Sequence, residues 1–184
     1  MSYILLDIAI ILRIFWINDI FLFLSLEGRK MELDRYDRRI LEELQRDGRI
    51  SNQELAERIG LSPSPCLRRV RALEESGLIQ GYRAMLDAKQ LGLSLMALIH
   101  ISMDRHTPER FANFEKAVAE LPQVMECLLV TGQDADYQLK VVVRDMDAFQ
   151  ALLLERITRI EGVSGVHSSF VLRRVVDKTA LPVS

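Results

Sequence analysis

The sequence predicts an α+β protein in which an N-terminal winged helix-turn-helix domain is followed by a ferredoxin-like βαββαβ domain. Before residue 80, apolar residues repeat at helical spacing in three short segments, and a glycine follows each segment. After residue 92 the pattern changes to strand, helix, strand, strand, helix and strand. The 184 residues, 49% of them hydrophobic, are enough for two small domains, which we place at residues 31–87 and 88–184.

Residues 1–30 form an apolar N-terminal extension that precedes both domains. Four polar residues interrupt its hydrophobic run: Asp7, Arg13, Asn18 and Asp19. A charge at the centre of a membrane helix costs about 2.5–3.5 kcal/mol, and the run lacks the flanking features of a signal peptide. Three interpretations stay open: a membrane anchor, a packed or interface helix, and a start codon set too early. We favour the last, with Met31 as the first residue, and we expect no membrane partner.

The three predicted helices have recognisable ends. The first covers residues 34–47 and ends before Gly48. The second begins at Ser51, which together with Glu54 fits the capping-box pattern. The third begins at Ser62, a natural N-cap, with Pro63 as its first helical residue. Because the turns between them are very short, the last two helices form a helix-turn-helix.

The remaining elements follow in order along the chain. Residues 78–86 are expected to be extended, forming a short wing and then the link to the second domain. The strands of the second domain are predicted at residues 94–103, 124–131, 137–143 and 163–176, and its helices at 108–121 and 147–160.

The third helix has the features of a DNA-recognition helix. Three arginines lie within four residues near its start, and arginine binds guanine edges or phosphate through its planar fork. The N-terminal N–H groups of a helix also favour phosphate. Since the formal net charge is −2, double-stranded DNA would be bound by this local patch rather than by the overall charge. The alternative is an ordinary solvated helix face. The candidate DNA-binding residues are Ser51, Asn52, Ser62, Ser64, Pro65, Arg68, Arg69 and Arg71.

Two long segments resemble the Lrp/AsnC family of transcriptional regulators. They are LDRYDRRILEELQRDGRISNQELAERIGLSPSPCLRRVRALEESGLIQGYRAMLD and ECLLVTGQDADYQLKVVVRDMDAF. The resemblance implies a regulator that binds a near-palindromic operator, with an effector-binding half called the RAM domain. It also implies a homodimer, which in this family often assembles further into an octamer, and a small effector, typically an amino acid.

The resemblance places the effector at the turn after the second strand of the RAM domain, which we call the effector loop. Its candidate residues are Val130, Thr131, Gly132, Gln133, Asp134, Asp136 and Tyr137. A glycine lets the backbone approach a ligand, and an aspartate can pair with an α-ammonium group. Family members often have two residues between this glycine and the Asp-Tyr pair, whereas this chain has three. The alternative is a plain polar hairpin turn.

The sequence favours a regulator over an enzyme. The three histidines are scattered, and the chain contains no G-x-S-x-G, P-loop or G-x-G-x-x-G motif. Asp134 and Asp136 are weak as a metal site, so we expect neither a metal nor a cofactor. The two cysteines, Cys66 and Cys127, fit no disulfide or metal spacing, which is typical of the reducing cytoplasm. Two further readings stay open: a DNA-binding or oligomerising protein with no effector, and a ferredoxin-like protein that binds a small molecule.

Overall fold

A computed structural model describes residues 32–131 and 135–183. The predicted extension at residues 1–30 and the effector-loop residues Gly132, Gln133 and Asp134 lie outside the described residues. The chain divides into two compact units. One is helical, ends at Tyr82 and includes residues 179–183, and the other covers Arg83–Lys178. The division lies slightly before the boundary predicted at residue 87.

The helical unit consists of α1 (Arg35–Arg46), α2 (Asn52–Ile59) and α3 (Pro63–Glu75). All three predicted helices are therefore present. Their core is made by six buried apolar side chains: Ile40, Leu55, Ala56, Ile59, Cys66 and Leu73. Burying one Leu or Ile side chain stabilises the folded state by about 1.5–3 kcal/mol, so this cluster holds the three helices together.

Helix α1 starts with a capping box that the sequence interpretation did not include. The Asp34 side chain accepts hydrogen bonds from the backbone N–H groups of Tyr36 and Asp37. The Asp37 carboxylate in turn accepts a hydrogen bond from the Asp34 N–H. Three backbone donors that would otherwise lack helical partners are thereby satisfied, which fixes where α1 begins.

Helix α2 shows the serine half of the predicted capping box. Ser51 Oγ accepts a hydrogen bond from the Glu54 N–H at 3.2 Å. The Glu54 carboxylate instead forms an ion pair with Arg58, one turn further along α2. The helix ends at Gly60, whose φ of 77° lies in the left-handed region that glycine adopts without strain. This turn allows α3 to follow after only a few residues.

Residues 79–86 follow α3 and belong to the segment predicted to be extended. They pair with no strand in the described part of the chain. Tyr82 packs beside Gly48, and its hydroxyl donates a hydrogen bond to Glu74 Oε1 at 3.0 Å. The C-terminal tail also contacts the helical unit. The Gln45 side-chain amide donates to the Leu181 carbonyl at 3.0 Å and accepts from the Leu181 N–H at 2.6 Å.

The second unit is a four-stranded antiparallel sheet with helices packed against it. Its strands are β1 (Leu95–Met103), β2 (Val124–Leu129), β3 (Tyr137–Val143) and β4 (Val163–Phe170), in the spatial order β2-β3-β1-β4. Helix α4 (Pro108–Ala119) connects β1 to β2, and α5 (Met146–Ala151) follows β3. This is the ferredoxin-like βαββαβ order, which confirms the predicted fold class.

The core of the second unit lies between the sheet and its helices. Alternate β1 residues face this core, with Ile99 and Ile101 fully buried. Phe114 of α4 packs on Tyr137 of β3 with ring centroids 4.6 Å apart. Phe149, from α5, is also buried. The apolar side chains at alternate strand positions and those at helical spacing in α4 thus pack into one apolar layer.

Two elements of this unit are shorter or less regular than predicted. The predicted last strand reaches residue 176, but β4 ends at Phe170, because β1 starts at Leu95 and Val171 makes a last bond to the Met96 carbonyl. The predicted helix 147–160 is α-helical only through Ala151. It continues as a π-helical turn, Leu152–Arg156, and a 3₁₀ turn, Ile157–Arg159. Among the described residues, no helix is both long and apolar enough to span a membrane.

We expect Phe114→Ala to destabilise the second unit by about 3–5 kcal/mol, because the ring is fully buried and its removal leaves a cavity beside Tyr137. Urea unfolding followed by circular dichroism would measure the change. Leu172→Ala is the control, since this side chain is 97% exposed and its removal should change stability by less than about 0.5 kcal/mol. Equal effects of both substitutions would contradict this description of the core.

Candidate nucleic-acid interface and effector loop

The N-terminus of α3 is held by a residue of α2. Asn52 Nδ2 donates a hydrogen bond to the Pro63 carbonyl at 2.9 Å. Its Oδ1 is buried and has no hydrogen-bond partner among the described residues. Ser62 occupies the N-cap position with extended backbone, but its side chain makes no capping bond and stays exposed. Asn52 therefore positions the N-terminus of α3, while the Ser62 hydroxyl is available to hydrogen-bond a ligand.

Two of the three candidate arginines lie on one exposed face of α3. Arg68 and Arg71 are three residues apart, so their side chains share a side of the helix. Together with Ser64 and Glu75 they line a shallow groove of about 330 Å³. In the described part of the chain neither guanidinium has an ion pair or a hydrogen bond. Both groups are thus free to bind a phosphate or a base edge.

Arg69 has a different environment. It lies about 100° around the helix from Arg68. Its Nη1 is 2.8 Å from Asp34 Oδ2 and 2.8 Å from Asp37 Oδ1. The hydrogen bond to Asp37 raises the pKa of the Arg69 guanidinium. The guanidinium carbon also lies 5.4 Å from the centroid of the Tyr36 ring. These contacts join α3 to the start of α1 and favour a structural role for Arg69.

The other predicted residues of this interface have mixed exposure. Ser51 and Ser64 are exposed, whereas Pro65 is half-buried.

The sequence interpretation missed the residues that hold α1 against α2. Arg39 donates hydrogen bonds to the carbonyls of Ile59 and Arg58, at the end of α2. No local pattern marks this role, because donor and acceptors are about twenty residues apart.

In the second unit, Asp136 fastens the described end of the effector loop to β1. Its Oδ2 accepts a hydrogen bond from the Met103 N–H at 2.7 Å, and its Oδ1 is 2.7 Å from His106 Nε2. Its backbone N–H donates to the Ile101 carbonyl, and its carbonyl accepts from the Val130 N–H. Both carboxylate oxygens are therefore already engaged by the protein.

Tyr137 has its ring in the core and its hydroxyl at the edge of a cleft. The residue is 1% exposed, and the hydroxyl donates to Glu115 Oε1 at 2.7 Å. Burial, together with that carboxylate, raises the pKa of Tyr137. Of the other predicted effector residues in the described part, Val130 is half-buried and Thr131 is exposed.

The cleft beside Tyr137 has a volume of about 450 Å³ and is bounded by α4 and β2. Its lining is mostly apolar, with Glu115 and Glu126 as charged groups and Cys127 as a thiol. Although Cys127 is exposed by surface area, partial desolvation of its thiol, followed by the negative charge of Glu115, raises its pKa to about 11. Since the thiolate is the nucleophile, Cys127 is a poor one near neutral pH.

A helix-turn-helix that presents free arginines, joined to a separate βαββαβ unit, defines a DNA-binding regulator with a second functional domain. Residues 33–80 match the winged helix-turn-helix DNA-binding family, and residues 96–181 match the Lrp/AsnC ligand binding domain. The chain belongs to the Lrp/AsnC family of transcriptional regulators. The resemblance seen in the sequence is thereby confirmed, and the family is not an enzyme family.

Known relatives match this chain along most of its length. Leucine-responsive regulatory protein from Klebsiella pneumoniae is 47% identical over 152 residues, which are 83% of this chain and 92% of that protein. Its namesake from Escherichia coli K12 has the same identity and coverage. A transcriptional regulator from Neisseria meningitidis, solved in complex with L-Met, is 40% identical with a TM-score of 0.78 over 82% of this chain and 97% of that one.

We expect Arg69→Ala to destabilise the helical unit by about 1–3 kcal/mol, because it leaves the buried Asp37 carboxylate without its charged partner. Urea unfolding would measure this change. Arg68→Ala is the matched control and should alter stability by less than about 0.5 kcal/mol, since its side chain is exposed and unpaired. If the two variants were equally stable, the structural role of Arg69 would be wrong.

A second prediction concerns how the stability of the helical unit changes at acidic pH. The hydrogen bond from the Asp37 N–H, followed by other contacts that include Arg69, holds the pKa of Asp34 below its ordinary value of 3.8. The resulting stability is present above that value and is lost as the pH falls through the lower folded-state pKa. Asp34→Asn keeps a capping side chain but removes this titration. The stability of the helical unit should then fall less between about pH 4 and 2, as measured by urea unfolding at each pH; an unchanged decline would contradict the assignment.

Proposed function

We propose that α3 enters the major groove of an operator and that Arg68 and Arg71 make the sequence-reading contacts. The observation that carries the proposal is the pair of exposed, unpaired guanidinium groups on one face of α3. Helix-turn-helix proteins read bases from the N-terminal part of the second helix of the motif. An arginine binds guanine O6 and N7 with two parallel hydrogen bonds.

The serines at the two helix starts supply the phosphate contacts. Ser62 and Ser64 lie at the N-terminus of α3, and Ser51 lies at that of α2. Backbone N–H groups at a helix start favour anions, so phosphates on either side of the groove would fix the register. Asn52 and Arg69 act as positioning residues, since their contacts hold α3 against α2 and α1.

The second domain binds a small effector, an amino acid, at the effector loop. The Neisseria meningitidis relative, solved with L-Met, supports an amino acid as the class of ligand. Asp136 holds the described end of the loop through both of its oxygens. The predicted contributions of the other loop residues stay part of this proposal: Val130, Thr131, Gly132, Gln133, Asp134 and Tyr137.

The protein acts as a homodimer or a larger assembly in the cytoplasm. A two-fold dimer would bind a near-palindromic operator with half-sites about one helical turn, or a multiple of it, apart. The effector changes DNA affinity by linkage, because it can shift only an equilibrium between states that bind it with different affinity.

A gel-shift titration tests the proposal. The probe is the promoter upstream of the protein's own gene, at two salt concentrations, with and without a panel of free amino acids. Specific binding that one amino acid changes is the expected result. Specific binding without any response would remove the effector from the proposal. Binding with no sequence preference would remove the sequence-reading contacts.

We expect Arg68→Ala and Arg71→Ala each to weaken operator binding by about 1–3 kcal/mol if the arginine reads a base. An arginine that contacts only phosphate would weaken binding to all sequences and reduce the salt slope by about one. The control is Arg156→Ala, which removes the same charge from an exposed position of the second unit. Operator affinity equal to that of the control would exclude the residue from the interface.

A further inference from the structure

His106 lies in the segment between β1 and α4, and the family assignment gives it no role. Its Nε2 is 2.7 Å from Asp136 Oδ1, and its side chain is 51% exposed. The ring also packs edge-on against Phe111 at a centroid distance of 6.0 Å. The imidazole is thus held in one orientation by a carboxylate and an aromatic ring, while solvent still reaches it.

Asp136 is the point where this contact can affect the rest of the unit. The carboxylate oxygen that does not contact His106 accepts the Met103 N–H at the end of β1. The backbone of Asp136 bonds to Ile101 on one side and to Val130 on the other. His106, Asp136 and these backbone groups therefore join the end of β1, the end of β2 and the start of β3.

We propose that His106 is a positioning residue that tightens the Asp136 junction when its imidazole is protonated, and so makes effector binding stronger at mildly acidic pH. Histidine is the side chain whose ordinary charge change falls between about pH 5 and 8. A protonated imidazole donates a charge-assisted hydrogen bond to a carboxylate, which is stronger than a neutral one. A junction fixed before the ligand arrives lowers the ordering cost of binding.

Among the described residues, the charged groups on the neighbouring elements are these. Asp136 is the carboxylate in contact with the ring, and the neighbouring side chain from α4, Phe111, is uncharged. Arg110, in the first turn of α4, is engaged with Asp104 at 3.5 Å and with Glu161 at 2.6 Å. The remaining charged residues of the segment and the first turn of α4 are Arg105 and Glu109.

The first measurement needs no ligand. Hydrogen exchange of the full chain, corrected for the intrinsic pH dependence of amide exchange, reports on the N–H groups of Met103, Val130 and Asp136. At about pH 6 their protection should exceed that at about pH 8 by about two- to fivefold, the range expected for a partly exposed ion pair. In His106→Gln this difference should disappear. Equal protection at both pH values in the wild-type chain would overturn the proposal.

Two further variants separate positioning from a general structural effect. His167→Gln removes an exposed imidazole of β4 and should keep the pH difference of the wild-type chain. His106→Lys places a permanent cation beside Asp136 and should restore protection at both pH values. If His106→Lys behaved as His106→Gln does, charge at this position would not hold the junction and the proposal would fail.

The second measurement concerns the effector, and this part rests on the proposed function. Calorimetric titration with L-methionine and with L-leucine should show about two- to fivefold tighter binding at about pH 6 than at about pH 8, and no such difference in His106→Gln. Binding that is independent of pH would overturn this half. If neither amino acid bound at either pH, methionine and leucine would be excluded as effectors, while hydrogen exchange would still decide the role of His106.

Discussion

The ion pairs between Arg69 and the two aspartates at the start of α1 fix which side of α3 faces α1. Asp34 and Asp37 first fix the N-terminus of α1 through the capping box, and the same carboxylates then hold the Arg69 guanidinium. Because adjacent helical residues point about 100° apart, anchoring Arg69 turns Arg68 and Arg71 outward. Arg69 therefore pairs with other residues of the protein, whereas Arg68 and Arg71 face solvent.

Much of the fold was predictable because its signals are local. Helix caps such as Ser51, the left-handed Gly60 and the period-2 pattern of β1 each lie within a few neighbouring residues. The role of Arg69 was not predictable in the same way. Its partners lie 32 and 35 residues earlier in the chain, and a sequence pattern cannot distinguish an arginine aimed inward from one aimed at solvent.

The candidate effector region shows the same limit. Glycine and aspartate near the end of β2 indicated a ligand loop, and in the structure the carboxylate oxygens of Asp136 contact Met103 and His106. These contacts could not be predicted from the sequence, since Met103 lies 33 residues and His106 lies 30 residues earlier in the chain. Tyr137 was predicted as a member of the loop, and in the structure it is buried, with its hydroxyl bonded to Glu115.

The hydrogen bonds between Gln45 and Leu181 have a consequence for biosynthesis. The two residues are 136 positions apart, although both belong to the helical unit. At a synthesis rate of about 5–20 residues per second, roughly 7–27 s pass between the addition of Gln45 and that of Leu181. The three helices can pack during translation, but these last bonds form only after the whole βαββαβ unit has been synthesised.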